Sequence, residues 1–237
     1  MNNAARYSFF GPALCLLVLL FPSVARPQQP ATNSPAAAAP APDSPDVAKI
    51  KQAVHEMQAH EFDAALTTLN EAIELNPKNQ VSYFLRASIF ASRNLWPAAE
   101  KDLLVAESIT PDDVDIEMFL GDVFLMEKKY NDSRMRFASL TRDSNRGDLA
   151  SYKVFVCDVL AGNNDVAAKE LAAFDHLPSM PSSYYAHATS SLVNKKTEDG
   201  RRWLDSAAVL YGPAVTAPYA QCLRGLGYLP LPPKPNP

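Results

Sequence analysis

Residues that break helices are scarce in the middle of this sequence. The 237-residue chain contains 8 glycines, and only seven of its 20 prolines fall between residues 46 and 229, mostly where a helix would begin or end. Glycine and proline are the residues least compatible with a helix interior. Their scarcity therefore excludes a turn-rich β protein and indicates an all-α body.

Cysteine is equally rare, with three residues in the chain. Cys15 lies in an apolar N-terminal stretch, which leaves Cys157 and Cys222, far apart in the sequence. Two distant cysteines exclude a disulfide-built scaffold, although they leave a single bridge open. Because Cys157 falls on an apolar stripe, we expect it to be a buried free thiol.

The chain also has no run of positive charge. Its formal net charge is -4, and no basic stripe is interleaved with aromatic residues. Since affinity for nucleic acid depends on neutralising phosphates, this charge pattern argues against a DNA or RNA partner.

Motifs for catalysis, cofactors and metals are absent from the sequence. There is no glycine-rich phosphate loop, no Gly-x-Ser-x-Gly, no His-Glu-x-x-His and no Cys-x-x-Cys. The four histidines are scattered over different parts of the chain: His55, His60, His176 and His187. We therefore expect no enzyme activity, no cofactor and no metal site.

The N-terminus has the features of an export signal. Arg6 precedes an apolar core at residues 9–21, and residues 23–25 (Ser-Val-Ala) suit a signal peptidase. As a helix, the core would rise only ~20 Å, against a hydrocarbon thickness of ~30 Å. We predict a signal peptide at residues 1–25 and a periplasmic or secreted protein. The alternative is an uncleaved signal that anchors the chain in a membrane.

Proline-rich segments flank the predicted folded region. Residues 26–45 form a linker of proline and alanine, a composition that cannot bury enough apolar surface to order itself. Residues 230–237 form a second proline-rich segment. These segments limit the folded part to one domain at residues 46–229.

The main positive signal is a repeated pattern with a period of about 34 residues, a length typical of helical repeat arrays. Pro77 and Pro111 stand one period apart, and each closes a stretch with alanines and a large apolar residue at matching offsets. Within each unit, apolar residues recur at spacings of three and four, which predicts two amphipathic helices. The matched positions are Ala53, Ala65, Leu69 and Ala72 in the first unit, Ala87, Ala99, Leu103 and Ala106 in the second, and Gly121, Ser133, Phe137 and Leu140 in the third.

This pattern resembles the tetratricopeptide repeat, a helix-turn-helix unit whose stacked copies form a curved binding surface. The resemblance covers residues 46–212 and is strongest in the first three units. It implies an all-α, right-handed solenoid of about five repeats. Small residues would let the first helix of each unit approach the second closely.

The pattern weakens after the third unit. We place Cys157 at the small position of a fourth unit, Val166 at the aromatic position and Pro181 at its end. This register puts Lys169 and His176 where small apolar residues are expected.

A fifth unit and a final helix complete the predicted array. Residues 214–228 are predicted to form a short helix that caps the apolar end of the stack. The fifth unit has Tyr184, Ala188, Gly200, Leu204 and Ala207 at the expected offsets.

The resemblance also implies a groove lined by the first helix of each unit. At the groove positions the chain has apolar residues and a few acids, and it lacks the lysines and asparagines with which some family members hold a partner's carboxylates. We therefore predict a protein-binding adaptor or assembly factor that holds a protein or peptide segment in an apolar, mildly acidic groove. The alternative is a structural protein that self-associates through its convex face or terminal helices. The predicted groove residues are Ile50, Val54, Phe84, Ser88, Met118, Asp122, Met126, Asp158 and Tyr185.

Overall fold

A computed structural model describes residues 44–177 and 179–230. The predicted signal peptide, residues 26–43 of the linker and residues 231–237 lie outside the described residues. The regular structure of the described part is ten helices and no strand. They are α1 (Pro45–Gln58), α2 (Phe62–Leu75), α3 (Gln80–Ser92), α4 (Trp96–Ile109), α5 (Val114–Met126), α6 (Tyr130–Leu140), α7 (Gly147–Ala161), α8 (Asn164–Phe174), α9 (Pro181–Val193) and α10 (Thr197–Gly225).

The helices form five antiparallel pairs, each packed on the next. We call the first helix of each pair helix A (α1, α3, α5, α7 and α9) and the second helix B (α2, α4, α6, α8 and α10). This arrangement confirms the predicted all-α solenoid of five units.

Every A helix ends in the same backbone turn. One residue just after each A helix adopts a left-handed conformation, with φ between 58° and 78°. The next residue donates its N–H to the carbonyl five positions back, as in the bond from Lys129 to Phe124, which satisfies a carbonyl at the helix end. The left-handed residues recur with the period of the sequence pattern, the last of them one position early: His60, Asn94, Lys128, Gly162 and Lys195.

Small side chains form the seam between helix A and helix B, as predicted. Each alanine at the matched positions of the first two units is fully buried, as are Leu69 and Leu103. In the third unit, the hydroxyl of Ser133 donates to the carbonyl of Gly121 at 2.8 Å, which ties α6 to α5. Phe137 lies directly over Gly121 and occupies the space that an alanine side chain would need.

The predicted register of the fourth unit was wrong by two residues. Lys169 and His176 are exposed, and Val166 is 41% exposed. The buried residues of α8 are instead Ala167 and Phe174, which lie one period after Ser133 and Leu140. The spacing of buried positions therefore continues through the fourth unit, although the residue types there no longer follow the repeat pattern.

An aromatic pair replaces small seam residues in the fourth unit and so hides the repeat in its sequence. Phe155 occupies the small position of α7, and its ring meets Phe174 of α8 edge to face at 5.9 Å. Cys157 is buried and free, as expected, and its thiol lies 3.2 Å from the hydroxyl of Ser133. Burial raises the pKa of Cys157 to about 12, so the thiol stays protonated.

The fifth unit follows the predicted register, with Ala188, Gly200 and Ala207 buried. Its B helix runs on into the predicted capping helix through a single non-helical residue, Gly212, at φ 73° and ψ 169°. We call residues 213–225 the C-terminal helix. Longer links join the earlier pairs, so this connection is unusually short.

Carboxylates near the start of A helices fasten neighbouring units together. Asp46 accepts hydrogen bonds at 2.9 Å from Asn76 and Asn79, which precede α3. The hydroxyl of Ser44 and these two amides hold the pKa of Asp46 below its usual range. Asp148 of α7 accepts from the backbone N–H and hydroxyl of Ser182, at the start of α9. Such bonds fix the position of one A helix against the next.

Gly121→Ala is expected to destabilise the protein by about 1–3 kcal/mol, because a Cβ at this position would lie 2.4 Å from Cε1 of Phe137. Glycine-to-alanine changes at unhindered helix positions normally stabilise. Urea unfolding followed by circular dichroism measures the free energy.

The matched control is the double variant Gly121→Ala with Phe137→Leu. It recreates the alanine and leucine that the second unit carries as Ala87 and Leu103. The second substitution should restore much of the lost stability. A single Gly121→Ala variant as stable as the parent would contradict this account of the seam.

Candidate functional site

The predicted groove face contains two rows of equivalent positions on the A helices. The spacing of the left-handed turns identifies the members of both rows. The first inner row is Ile50, Phe84, Met118, Tyr152 and Tyr185, and the second inner row is Val54, Ser88, Asp122, Val156 and Thr189.

The C-terminal helix covers both rows in the last two units. Tyr219 places its ring 5.6 Å from that of Tyr152 and 5.2 Å from that of Tyr185. Tyr152 and Val156 are 0% exposed, and Tyr185 and Thr189 are also buried. The predicted groove residue Tyr185 is therefore covered by the chain itself.

Hydrogen bonds hold the C-terminal helix in this position. The hydroxyl of Tyr219 donates to Asp148 at 2.5 Å, so that α7, α9 and the C-terminal helix meet at one carboxylate. The hydroxyls of Tyr152 and Thr189 lie 3.0 Å apart beneath it. Burial raises the pKa of both Tyr152 and Tyr219, which keeps their hydroxyl groups protonated.

In the first three units, half of the row positions are partly exposed: Val54, Phe84 and Asp122. Two apolar residues outside the rows are also accessible, since Met126 of α5 is partly exposed and Val81 of α3 is 39% exposed. Phe84 is held by an edge-to-face contact with Phe119 at 5.4 Å. These residues give the first three units a shallow apolar surface.

Three other predicted residues form the floor of this surface. Ile50, Ser88 and Met118 are buried, with at most 9% of each residue exposed. The hydroxyl of Ser88 donates to the carbonyl of Leu85 at 2.7 Å, so its hydrogen bond is made within α3. Met118 belongs to the same core cluster as Tyr219 and marks the border with the covered units.

The acidic character predicted for the groove is largely neutralised. Lys153, which is almost fully buried, donates to both carboxylate oxygens of Asp122, at 2.5 and 2.7 Å. A buried ammonium needs such a partner. The partly exposed Asp122 therefore presents little net charge to a partner.

Asp158 lies elsewhere, which corrects its predicted place in the groove. It is 1% exposed and accepts hydrogen bonds from Arg134 of α6 at 2.6 Å and from Asn163 at 2.8 Å. The two-residue error in the fourth unit produced this assignment. The groove positions of α7 belong to Tyr152 and Val156, and the period counted from Met118 and Asp122 identifies them.

Arg134 also faces a second carboxylate. The side chain of Glu170 lies 3.7 Å from Arg134 and interacts with Asp158. Burial and the charge of Asp158 raise the pKa of Glu170 to about 7. This cluster joins α6, α7 and α8 away from the inner rows.

Neither a membrane span nor a metal cluster occurs among the residues that the structure describes. None of the helices at residues 44–177 and 179–230 combines the length and apolarity needed to cross a bilayer. The same residues contain no group of three histidine, cysteine or acidic side chains that could hold a metal ion.

Comparison with known proteins identifies the fold. No family model and no curated protein sequence matches the chain. Among solved structures, PilW, a widely conserved type IV pilus biogenesis factor, superposes with a TM-score of 0.57 at 18% identity, covering 79% of this chain and 88% of PilW.

Two further structures give the same result. YrrB, described as a TPR protein with an unusual peptide-binding site, has a TM-score of 0.53 at 16% identity, covering 77% of this chain and 92% of YrrB. Pseudomonas aeruginosa PilF has a TM-score of 0.53 at 15% identity, with 76% and 91% covered. The chain therefore has the fold of tetratricopeptide repeat proteins.

Tyr219→Phe is expected to lower the free energy of unfolding by about 1–3 kcal/mol, because Asp148 loses a charge-assisted hydrogen bond. Limited proteolysis near Gly212 should become faster as the C-terminal helix loosens. The control is Tyr184→Phe, which keeps the ring contacts of Tyr184 with Trp203 and Tyr211. Equal stability of the parent and Tyr219→Phe would contradict this role of the hydroxyl.

Glu170→Gln should stabilise the protein increasingly as pH rises. With its pKa raised to about 7, Glu170 keeps its proton in the folded state at pH values where the unfolded chain releases it. The parent therefore loses stability between about pH 4.5 and pH 7, and the glutamine variant avoids this loss. Urea unfolding at about pH 5 and pH 8 measures the difference, with the exposed Glu198→Gln as the control. A difference that does not change with pH would refute the prediction.

Proposed function

We propose that this protein is a non-enzymatic interaction module that holds a segment of another protein or peptide on the inner rows of its first three units. The observation that carries this proposal is the contrast along the groove. The rows are covered by the chain's own C-terminal helix in units four and five, whereas in the first three units Val54, Phe84 and Asp122 are partly exposed above a buried floor of Ile50, Ser88 and Met118. The proposed contact residues are Ile50, Val54, Phe84, Ser88, Met118, Asp122 and Met126.

The polar groups around the rows support a binding role over a catalytic one. Asp148 fastens three helices, Asp122 neutralises Lys153, and the hydroxyl of Ser88 bonds within its own helix. Each of these groups has a structural partner. A reaction centre would instead need several polar groups that converge on a substrate.

The solved structures with this fold support a protein or peptide as the partner. One is described by its peptide-binding site, and another is a pilus biogenesis factor. Together with the export signal predicted at residues 1–25, they favour an adaptor or assembly factor that acts in the periplasm or outside the cell. An uncleaved signal would place the same module at a membrane surface.

Self-association is the second candidate function. Val209 is 85% exposed, Leu210 59% and Val215 50%, all close to the link at Gly212. Apolar side chains this exposed near the end of the array would suit contact between copies. Sedimentation across a dilution series tests this candidate, since dimers that dissociate on dilution would favour it.

The double variant Phe84→Asp with Met126→Asp should abolish partner capture by the exported protein, because two carboxylates would have to be buried against an apolar partner. Affinity capture followed by mass spectrometry measures the loss, and circular dichroism checks that the fold survives.

Val209→Asp with Leu210→Asp provides the matched control, since it adds the same charges to exposed apolar positions outside the proposed contact residues. This control should capture the same partners as the parent. Unchanged capture by a folded Phe84→Asp, Met126→Asp variant would refute the proposed groove. Loss of capture in the control alone would favour self-association or another surface.

A further inference from the structure

The C-terminal helix shows what kind of segment fits the inner rows. Its buried residues include Thr216, Tyr219, Ala220 and Leu223, which recur at spacings of three, four and seven. This is the pattern of an amphipathic helix with one apolar face. Leu223 is fully buried and Tyr219 lies between α7 and α9, so the rows of the last two units accept a helix.

The first three units continue the same two rows. Ile50, Phe84 and Met118 stand where Tyr152 and Tyr185 stand in the covered units, with Phe84 partly exposed and the other two buried at its sides. The backbone period runs through every unit, with one left-handed turn after each A helix, so the A helices present equivalent positions throughout. The open surface is thus an extension of a surface already occupied by a helix.

The chemistry of the open surface also favours a helix over an extended peptide. An extended segment leaves its backbone N–H and C=O groups in need of partners from the groove. Here the hydroxyl of Ser88 is bonded to Leu85, and Asp122 is bonded to Lys153. The first-row residues Ile50, Phe84 and Met118 have no hydrogen-bonding side chain. A helix satisfies its own backbone and needs only apolar contact.

The charges near the open surface indicate the polarity of the partner's matching face. Because Lys153 neutralises Asp122, the open surface offers no strong electrostatic attraction. The covered half has tyrosine hydroxyls that require polar partners, whereas the open half has isoleucine, phenylalanine and methionine in the same row. The matching face of a partner would therefore be apolar and uncharged.

We propose that the partner segment is an amphipathic helix whose apolar residues recur at i, i+3, i+4 and i+7, seated on the first three units as a continuation of the C-terminal helix. This inference rests on the proposed function of the groove. It adds the conformation and side-chain pattern of the bound segment.

Selection of binders from a peptide display library tests the proposal. The peptides are random in sequence and long enough for about four helical turns, and the target is the full-length chain. Binders are then assayed against the parent and the Phe84→Asp, Met126→Asp variant. The control is Leu75→Asp, Leu95→Asp, since these leucines are 54% and 48% exposed and lie outside both proposed surfaces. We expect selected peptides that carry the i, i+3, i+4, i+7 apolar pattern, form a helix when bound and lose affinity for the groove variant alone. A proline placed in the middle of such a peptide should weaken binding at least about tenfold.

The other outcomes separate this inference from the proposed function. Binders that depend on Phe84 but show alternating apolar residues, or that tolerate the central proline, would overturn the helix inference and leave the groove function standing. Binders unaffected by the groove substitutions, or a selection that yields none, would overturn both.

Discussion

The close approach of helix A to helix B within each unit is the constraint on which the rest of the structure depends. Alanine, glycine or serine at most seam positions lets the two backbones pack tightly. One large apolar residue of each B helix, such as Phe137, fills the space that remains. Because this packing repeats, the A helices stand in register and bring Phe84 and Met118 to equivalent places. The proposed groove is therefore a consequence of the seam, and its residues can vary between units while the seam is kept.

The first three units could be predicted from sequence because alanine and leucine at the seam leave a visible period. The fourth unit could not, since Phe155 and Phe174 exchange the small residues of the seam for a pair of rings. The left-handed residue of the fourth unit, Gly162, keeps the spacing of the backbone turns. The third unit has Lys128 at the equivalent place, so the residue type does not reveal the turn in the sequence. The misplacement of Asp158 followed directly from this ambiguity.

The path of the C-terminal helix could not be predicted from the sequence. Because the apolar end of the stack must be buried, the sequence predicted a cap there, but not that the cap would turn onto the inner rows. Two features direct it there: the single-residue link at Gly212 and the carboxylate of Asp148, which receives Tyr219. The bond between Tyr219 and Asp148 joins residues 71 positions apart, so a local pattern of spacings does not reveal it. As a result, the proposed groove, which repeat number alone would extend over five units, is limited to the first three.

Hydrogen–deuterium exchange of residues 213–225 tests this division of the groove most directly. If the C-terminal helix closes the last two units in solution, its amides should exchange as slowly as those of α7, on which it packs. Exchange of these amides as fast as in an unstructured peptide would mean that Tyr152 and Tyr185 are open to partners, and it would contradict the account.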